Sequence, residues 1–333
     1  MAQKWFAIFV VTLQMVATNC SHPKTPSSPS ENPTPDVVVT TVSPTETAVP
    51  APAMFQPQVT YYFAGDIANC EPGHNNILNG KKGHEYVGEL LGRLGLDGVS
   101  RMFLPIGDIV YFQGSAIQFR NCYDPVYGRW KAFTRPTPGN HEYETIGASG
   151  YFSYFGTAAG LSGLGYYSWN PPGDYWHVIS GNSNLVGRAK TAYLQWLEQD
   201  LLANSARPCT LVYFHYPRFS SGIGGNIGAV TEDFAILYKH HVELLVVGHD
   251  HNYERFLPQG PNEELDHKKG VLEIVSGTGG AELRPLFRRR QNSVAFNNTS
   301  WGVTVVALGA RTYEFRFLPA TGSFSDSGSG VCR

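Results

Sequence analysis

The stretch Gly248-His249-Asp250-His251-Asn252-Tyr253-Glu254-Arg255 decides how this chain is read. It follows Val242-Glu243-Leu244-Leu245-Val246-Val247, a short apolar, β-branched run that predicts a buried strand. Two histidines one residue apart face opposite ways on an extended backbone. Gly248 is therefore expected to open a tight turn that aims both at one point, with Asp250 turned away. Neutral imidazole is the commonest protein ligand for a transition metal. An isolated His-x-His is usually only a solvated loop, but four other clusters in this chain have the same form. Gly65-Asp66 follows a predicted strand over 59–64, and Gly107-Asp108-Ile109-Val110-Tyr111 follows one over 101–106. Gly139-Asn140-His141-Glu142 follows the extended Pro136-Thr137-Pro138, and His215 follows a strand over 209–214. In open α/β sheets, ligands gather outside the carboxyl ends of strands. Five such ends carry more oxygen and imidazole donors than one ion needs, and two ions sharing a carboxylate are the usual clamp for a phosphate ester.

The chain has 333 residues, room for one large domain or two small ones. Its formal charge is −2 and only 16% of residues are charged, which argues against a nucleic-acid partner. Lys4 precedes a mostly apolar run over 5–16, too short to span a bilayer, so residues 1–19 are expected to be a secretory signal. Cleavage after Ala17 is one reading. The other is a lipoprotein signal with Cys20 as the lipidated residue and membrane tether, although Asn19 departs from that motif. Residues 20–56 are rich in Pro, Ser and Thr and are read as a disordered linker, leaving 57–333 as the catalytic domain. The expected location is extracytoplasmic, secreted or anchored. Oligomeric state is left open. In an exported chain, Cys70, Cys122, Cys209 and Cys332 are expected to pair. Three connectivities exist; adjacency of the strands before Cys70 and Cys122 favours that pair, leaving Cys209 with Cys332.

Helices are predicted over 85–94, 123–133, 191–202 and 231–240, and an antiparallel strand pair over 166–169 and 175–180. The end of the chain is strands only, over 271–276, 302–308 and 313–318. Strand–helix alternation followed by strands alone predicts an α/β (α+β) class, two packed mixed sheets flanked by helices in one domain.

Taken in order, Gly-Asp, Gly-Asp-x-x-Tyr, Gly-Asn-His-Glu, a lone His and Gly-His-x-His resemble the calcineurin-like metallophosphoesterases, and within them the purple acid phosphatase branch. The resemblance runs from about residue 59 to 255 and on through Gly277-Thr278-Gly279-Gly280. It implies a four-layer metallophosphoesterase sandwich and two metal ions. Asp66, Asp108, Tyr111 and His251 would hold Fe(III), to which a phenolate is suited. Asp108, Asn140, His215 and His249 would hold Zn, Mn or Fe(II), with Asp108 bridging. His141 would face substrate, binding a phosphate oxygen or protonating the leaving alcohol. The implied reaction is hydrolysis of small phosphomonoesters by attack of a metal-bound hydroxide. A phosphodiesterase on the same scaffold and an inactive metal-binding surface protein are the rivals.

Some positions depart from the family pattern. Ala68 stands where the family often has glycine, and where more general members have histidine, which fits Tyr111 as a ligand. The loop over 218–225 has no histidine, whereas plant enzymes carry histidines there for substrate. Leaving-group protonation is therefore expected to rest on His141 alone or on a group that the sequence does not identify. The linker stands where plant members carry a separate N-terminal β-domain.

Overall fold

In the segment Val-Thr-Tyr-Tyr-Phe-Ala, every residue except Thr60 is buried. A strand apolar on both faces needs a cover on both, and this chain supplies four layers. The computed structural model describes residues 57–74 and 76–333. The expected signal, linker and Cys20 lie outside the described residues.

The strands in chain order are β1 Val59–Ala64, β2 Ile77–Leu78, β3 Lys81–Lys82, β4 Arg101–Pro105, β5 Tyr167–Trp169, β6 Trp176–Ser180 and β7 Cys209–Tyr213. There follow β8 Leu244–Val247, β9 Tyr253–Phe256, β10 Leu272–Ser276, β11 Ser293–Asn297, β12 Gly302–Leu308, β13 Thr312–Pro319 and β14 Ser327–Val331. One sheet has the order β14-β13-β12-β1-β4 and the other β11-β9-β10-β8-β7-β6-β5. Both are mixed. β1 runs parallel to β4 and antiparallel to β12, while β10, β8, β7 and β6 are mutually parallel. The expected antiparallel pair is β5 with β6.

Period-two alternation sends one set of β1 side chains, Tyr61 and Phe63, between the sheets. There they meet Leu104, Leu211, Val246, Ile274 and Phe315. Phe63 is fully buried, and its truncation to alanine is expected to cost about 3–5 kcal/mol. The opposite set, Tyr62 and Ala64, packs under the Gly83–Leu94 helix and the helical segments that follow β4. The outer face of the seven-stranded sheet is covered by the helices Gly187–Ala203 and Thr231–Lys239.

The predicted helix over 123–133 is broken into Asp124–Tyr127 and the 3-10 turn Gly128–Phe133. A Cβ at position 128 would lie 2.4 Å from Asp124 Oδ1, so glycine lets the chain tighten there. Strands β2, β3, β9, β11 and β14 had no strand prediction. β14 reads Ser-Gly-Ser-Gly-Val, which has no apolar alternation to detect; its partner β13 supplies the order through pairing.

Cys70 joins Cys122 and Cys209 joins Cys332, the favoured pairing. His84 lies close to the first pair, but its two sulfurs are bonded to each other and offer no thiolate to a metal. The second bridge ties the chain's end to the start of β7 across 123 residues.

The two sheets meet at their strand ends. Gly65, just past β1, donates its N–H to Ser276 O at 2.9 Å, and Gly279 N–H donates to Gly65 O at 2.8 Å. A Cβ on Gly65 would come 3.3 Å from Gly248 Cα. The carboxyl ends of β1, β4, β7 and β8 are thereby drawn to one place.

Candidate metal centre

Asp66, Asp108, His215 and His249 sit two or three residues past the ends of β1, β4, β7 and β8, where the backbone has left the sheet; Tyr111 and His251 lie further along the same turns, and Asn140 opens a short helix. Asp66, Asp108 and His249 all have left-handed backbone, with φ of 59°, 48° and 71°. Non-glycine residues rarely adopt this conformation, and it clusters at functional sites. The glycines beside them allow close approach. A Cβ on Gly107 would lie 2.5 Å from His215 Nδ1, and one on Gly139 would lie 2.2 Å from Asp108 N.

Seven of the predicted residues form two linked groups. In the first, Tyr111 hydroxyl lies 3.0 Å from Asp66 Oδ1, 3.4 Å from Asp108 Oδ2 and 3.1 Å from His251 Nε2. In the second, His215 Nε2 lies 3.3 Å from Asp108 Oδ2 and 3.2 Å from Asn140 Oδ1, and His249 Nδ1 lies 3.1 Å from that same oxygen. Asp108 Oδ2 belongs to both. Ligands about 2.1 Å from one ion are separated by about 3.0 Å along an octahedral edge and about 3.4 Å along a tetrahedral one. The observed separations have that size.

Four of the donors are held from behind. Asp66 Oδ2 accepts His249 N–H at 2.8 Å, and Asp108 Oδ1 accepts His141 N–H at 2.9 Å. One oxygen of each carboxylate is thus fixed by backbone, and the other faces the donor group. His215 Nδ1 donates to Ile106 O at 2.9 Å and His251 Nδ1 to Glu282 O at 2.7 Å. A carbonyl can only accept, so in the neutral rings both Nε2 lone pairs point inward. They face Asp108 Oδ2 and, at 3.4 Å, Asp66 Oδ1. Lone pairs opposed at this distance repel unless a cation lies among them. The residues therefore fit metal ions.

The titration behaviour points the same way. Burial lowers the pKa of His215, but the Asp108 carboxylate more than offsets it and pushes the ring up to about 9. A proton is drawn where an ion would fit. Burial and the His215 charge push His249 down to about 4, leaving it a neutral donor. Burial, then Asp66 and Asp108, hold the Tyr111 phenol well above its usual range. A multivalent cation reverses that balance and favours the phenolate.

His141 lies at the rim. Its Nε2 is 3.8 Å from Asp108 Oδ2, and its Nδ1 is 2.6 Å from Phe112 O. That carbonyl orients the ring. Glu142 accepts four backbone N–H groups. They come from Asp108 at 2.9 Å, Ile109 at 2.8 Å, Val110 at 3.3 Å and Gly139 at 2.7 Å. It binds the Asp108 turn to the Asn140 turn. Burial and the Asp108 charge push its pKa up to about 7, against the pull of those donors. Asp250 does turn away, as expected: it is fully buried and accepts from Ser220 Oγ and from Gly224 N–H at 2.9 Å.

Two residues at the site escaped the sequence reading. The Tyr216 ring stands on the His249 ring with centroids 4.7 Å apart, and Arg284 donates its backbone N–H to His251 O at 2.9 Å. Tyr216 could have been suspected from its place beside His215. Arg284 carries no local signal, because only the sheet packing brings its loop here. A groove against Thr60, Ala307 and Arg316 lies at the opposite end of β1 from Asp66 and has none of these donors.

Two packed sheets with paired carboxylate, imidazole and amide donors at their joined ends define a metallophosphoesterase centre. The family model for calcineurin-like phosphoesterase matches residues 55–253, and the chain belongs to that family. Purple acid phosphatase 21 of Arabidopsis thaliana is 29% identical over 193 residues, covering 51% of this chain and 43% of that protein. Human acid phosphatase type 7 is 30% identical over 182 residues, 44% of this chain and 40% of the relative. This chain thus spans less than half the length of these relatives. Among solved structures, the purple acid phosphatase from yellow lupin (Lupinus luteus) seeds superposes with a TM-score of 0.61 at 18% identity. The match covers 82% of this chain and 54% of that one, and shows the shared fold. These relatives place the chain nearest the purple acid phosphatase branch.

Proposed function

We propose that this chain is an exported, dinuclear-metal phosphatase that hydrolyses phosphomonoesters. The reading is carried by one observation above all: two donor groups share Asp108 Oδ2. Asp66, Asp108, Tyr111 and His251 would hold one ion, with Fe(III) suited to the phenolate. Asp108, Asn140, His215 and His249 would hold the other, as Zn, Mn or Fe(II). When bound, such ions neutralise charge on phosphoryl oxygens and lower the pKa of the attacking water.

The chain's own groups do the rest. Asp108 spans the two donor groups and sets their separation. His141 stands at the rim with Nδ1 engaged by Phe112 O, so Nε2 is left to hold a phosphate oxygen or to pass a proton to the leaving alcohol. Two disulfides and the apolar N-terminal run support export, with a signal over 1–19, a linker over 20–56 and Cys20 as a candidate tether. No helix among the described residues is long and apolar enough to cross a membrane.

The test is metal content per chain together with turnover of p-nitrophenyl phosphate and bis(p-nitrophenyl) phosphate. About two ions and a preference for the monoester are expected. Preference for the diester would move the chain to the phosphodiesterases, and full metal loading with no turnover of either would remove the enzymatic reading.

A further inference from the structure

Past β10, the chain runs beside the first donor group. Glu282 O accepts from His251 Nδ1 at 2.7 Å, and Arg284 N–H donates to His251 O at 2.9 Å. The next residues meet the loop that follows His215. Phe287 and Arg288 N–H donate to Ser221 O at 2.9 and 3.1 Å, and Arg290 N–H donates to Ser221 Oγ at 2.8 Å. Ser221 is itself fixed, its N–H donating to buried Glu254 Oε2 at 2.8 Å. Two loops are thus stapled into one platform next to the metal centre. Its apolar side chains are open to solvent. Phe287 is 77% exposed, Ile223, two residues past Ser221, is 56% exposed, and Leu286 is 38% exposed.

Single exposed apolar side chains are ordinary. These three stand apart because of the charge around them. The chain as a whole carries −2, yet the joined loops, 216–228 and 283–292, hold five arginines and no aspartate or glutamate. The arginine–carboxylate pairs among the described residues use Arg101, Arg207 and Arg255, none of them on these loops. Carboxylates from elsewhere do reach the first loop. Asp250, Glu254 and Glu273 accept from it but are fully buried, and Glu263 meets it at Asn226. Exposed Arg288 and Arg289 directly follow Phe287. A guanidinium keeps its charge and matches a phosphate through its planar fork. Exposed apolar side chains bordered by arginine match the boundary of a bilayer, where acyl chains lie just below anionic phosphates. A soluble acidic polymer would use the arginines and leave Leu286 and Phe287 in water.

We propose that this platform is a docking surface for an anionic lipid bilayer, set beside the metal centre. Leu286, Phe287 and Ile223 enter the boundary of the acyl chains, and Arg288 and Arg289 meet the headgroups. The inference does not depend on the phosphatase reading, because it concerns where the chain sits and not what it hydrolyses. The probes are vesicles of phosphatidylcholine alone and of phosphatidylcholine and phosphatidylglycerol in equal parts. The full chain carries Cys20→Ser in every sample, so that no acyl group is attached. Co-sedimentation with the anionic vesicles should weaken by about 10–30-fold in the double variant Arg288→Gln, Arg289→Gln. It should weaken by about tenfold in Phe287→Ser. Val99→Ser is the control, an apolar residue 70% exposed just before β4, and should stay within about twofold. A polarity-sensitive dye on Leu286→Cys should shift to the blue with the anionic vesicles and much less with phosphatidylcholine alone. Loss with the arginines but not with Phe287 would make the surface a site for soluble acidic polymers and overturn the bilayer assignment. An unshifted dye at position 286 would overturn it too, whatever the total binding, because attachment through the N-terminal apolar run leaves that dye in water.

Discussion

Replacing Glu142 with glutamine keeps size and shape but halves the acceptor capacity. Glu142 Oε1 receives Ile109 and Val110 N–H, and Oε2 receives Asp108 and Gly139 N–H. Glutamine has one oxygen, so whichever way it turns, an NH2 group faces two backbone donors. Hydrogen bonds to a charged acceptor contribute about 1.5–3 kcal/mol each, so the loss of two predicts about 3–6 kcal/mol. That is a large part of a usual stability of about 5–15 kcal/mol. The measurement is urea unfolding of the metal-free protein at pH 8, above the carboxyl's value of about 7. Because burial raises the folded value above the free one, wild type loses stability as the carboxyl ionises between about pH 5 and 8 whereas the glutamine variant does not, so the gap should be wider at pH 5 than at pH 8. Because these bonds join the Asp108 turn to the Asn140 turn, metal affinity should also fall, by about 10–100-fold. Exposed Glu144→Gln is the control, expected within about 0.5 kcal/mol of wild type. A Glu142→Gln protein within about 1 kcal/mol of wild type at pH 8, with unchanged metal affinity, would show that the four bonds do not hold the centre together.

Asp108→Asn should reduce occupancy of both ions, whereas Asn140→Ala should reduce mainly the second; metal per chain by elemental analysis tells them apart, and full occupancy in Asp108→Asn would remove its bridging role. Iron-loaded protein should absorb visible light through a Tyr111 phenolate, and Tyr111→Phe should lose the band while keeping the fold; a band that survives the substitution would assign it elsewhere. Glu273 is fully buried, and burial pushes its carboxyl up to about 8 despite N–H donors from Phe219 and Arg218. Between about pH 4.5 and 8 the folded chain therefore holds a proton that the unfolded chain has lost, so stability falls as pH rises through that window. Unfolding of the metal-free protein at pH 5 and pH 8 should show that fall reduced in Glu273→Gln by on the order of 2–4 kcal/mol, and an equal fall in both proteins would rule the group out.

The donors themselves were legible in the linear sequence, because the chemistry imposes a local pattern. A ligand must leave its strand, so it follows an apolar run, and it must be approached closely, so glycine stands beside it. Asp66, Asp108 and His249 carry both marks, His215 carries the apolar run, Asn140 carries the glycine, and His251 shares the turn that Gly248 opens. Local periodicity likewise predicted β1, β4, β7, β8 and the helices over them, and so the layered class. What contacts across the chain create was not legible. The left-handed backbone of Asp66 and Asp108, the four N–H groups gathered by Glu142, and the carbonyls of Ile106, Phe112 and Glu282 behind the histidines arise only when separate turns meet. β14 is a strand only because β13 offers it an edge. Arg284 reaches His251 only because β10 lies beside β8 and returns the chain to the strand ends. Residue types and their spacing determined which groups could bind a metal; the packing of two sheets decided which lone pairs face one another, because direction is a property of the folded backbone.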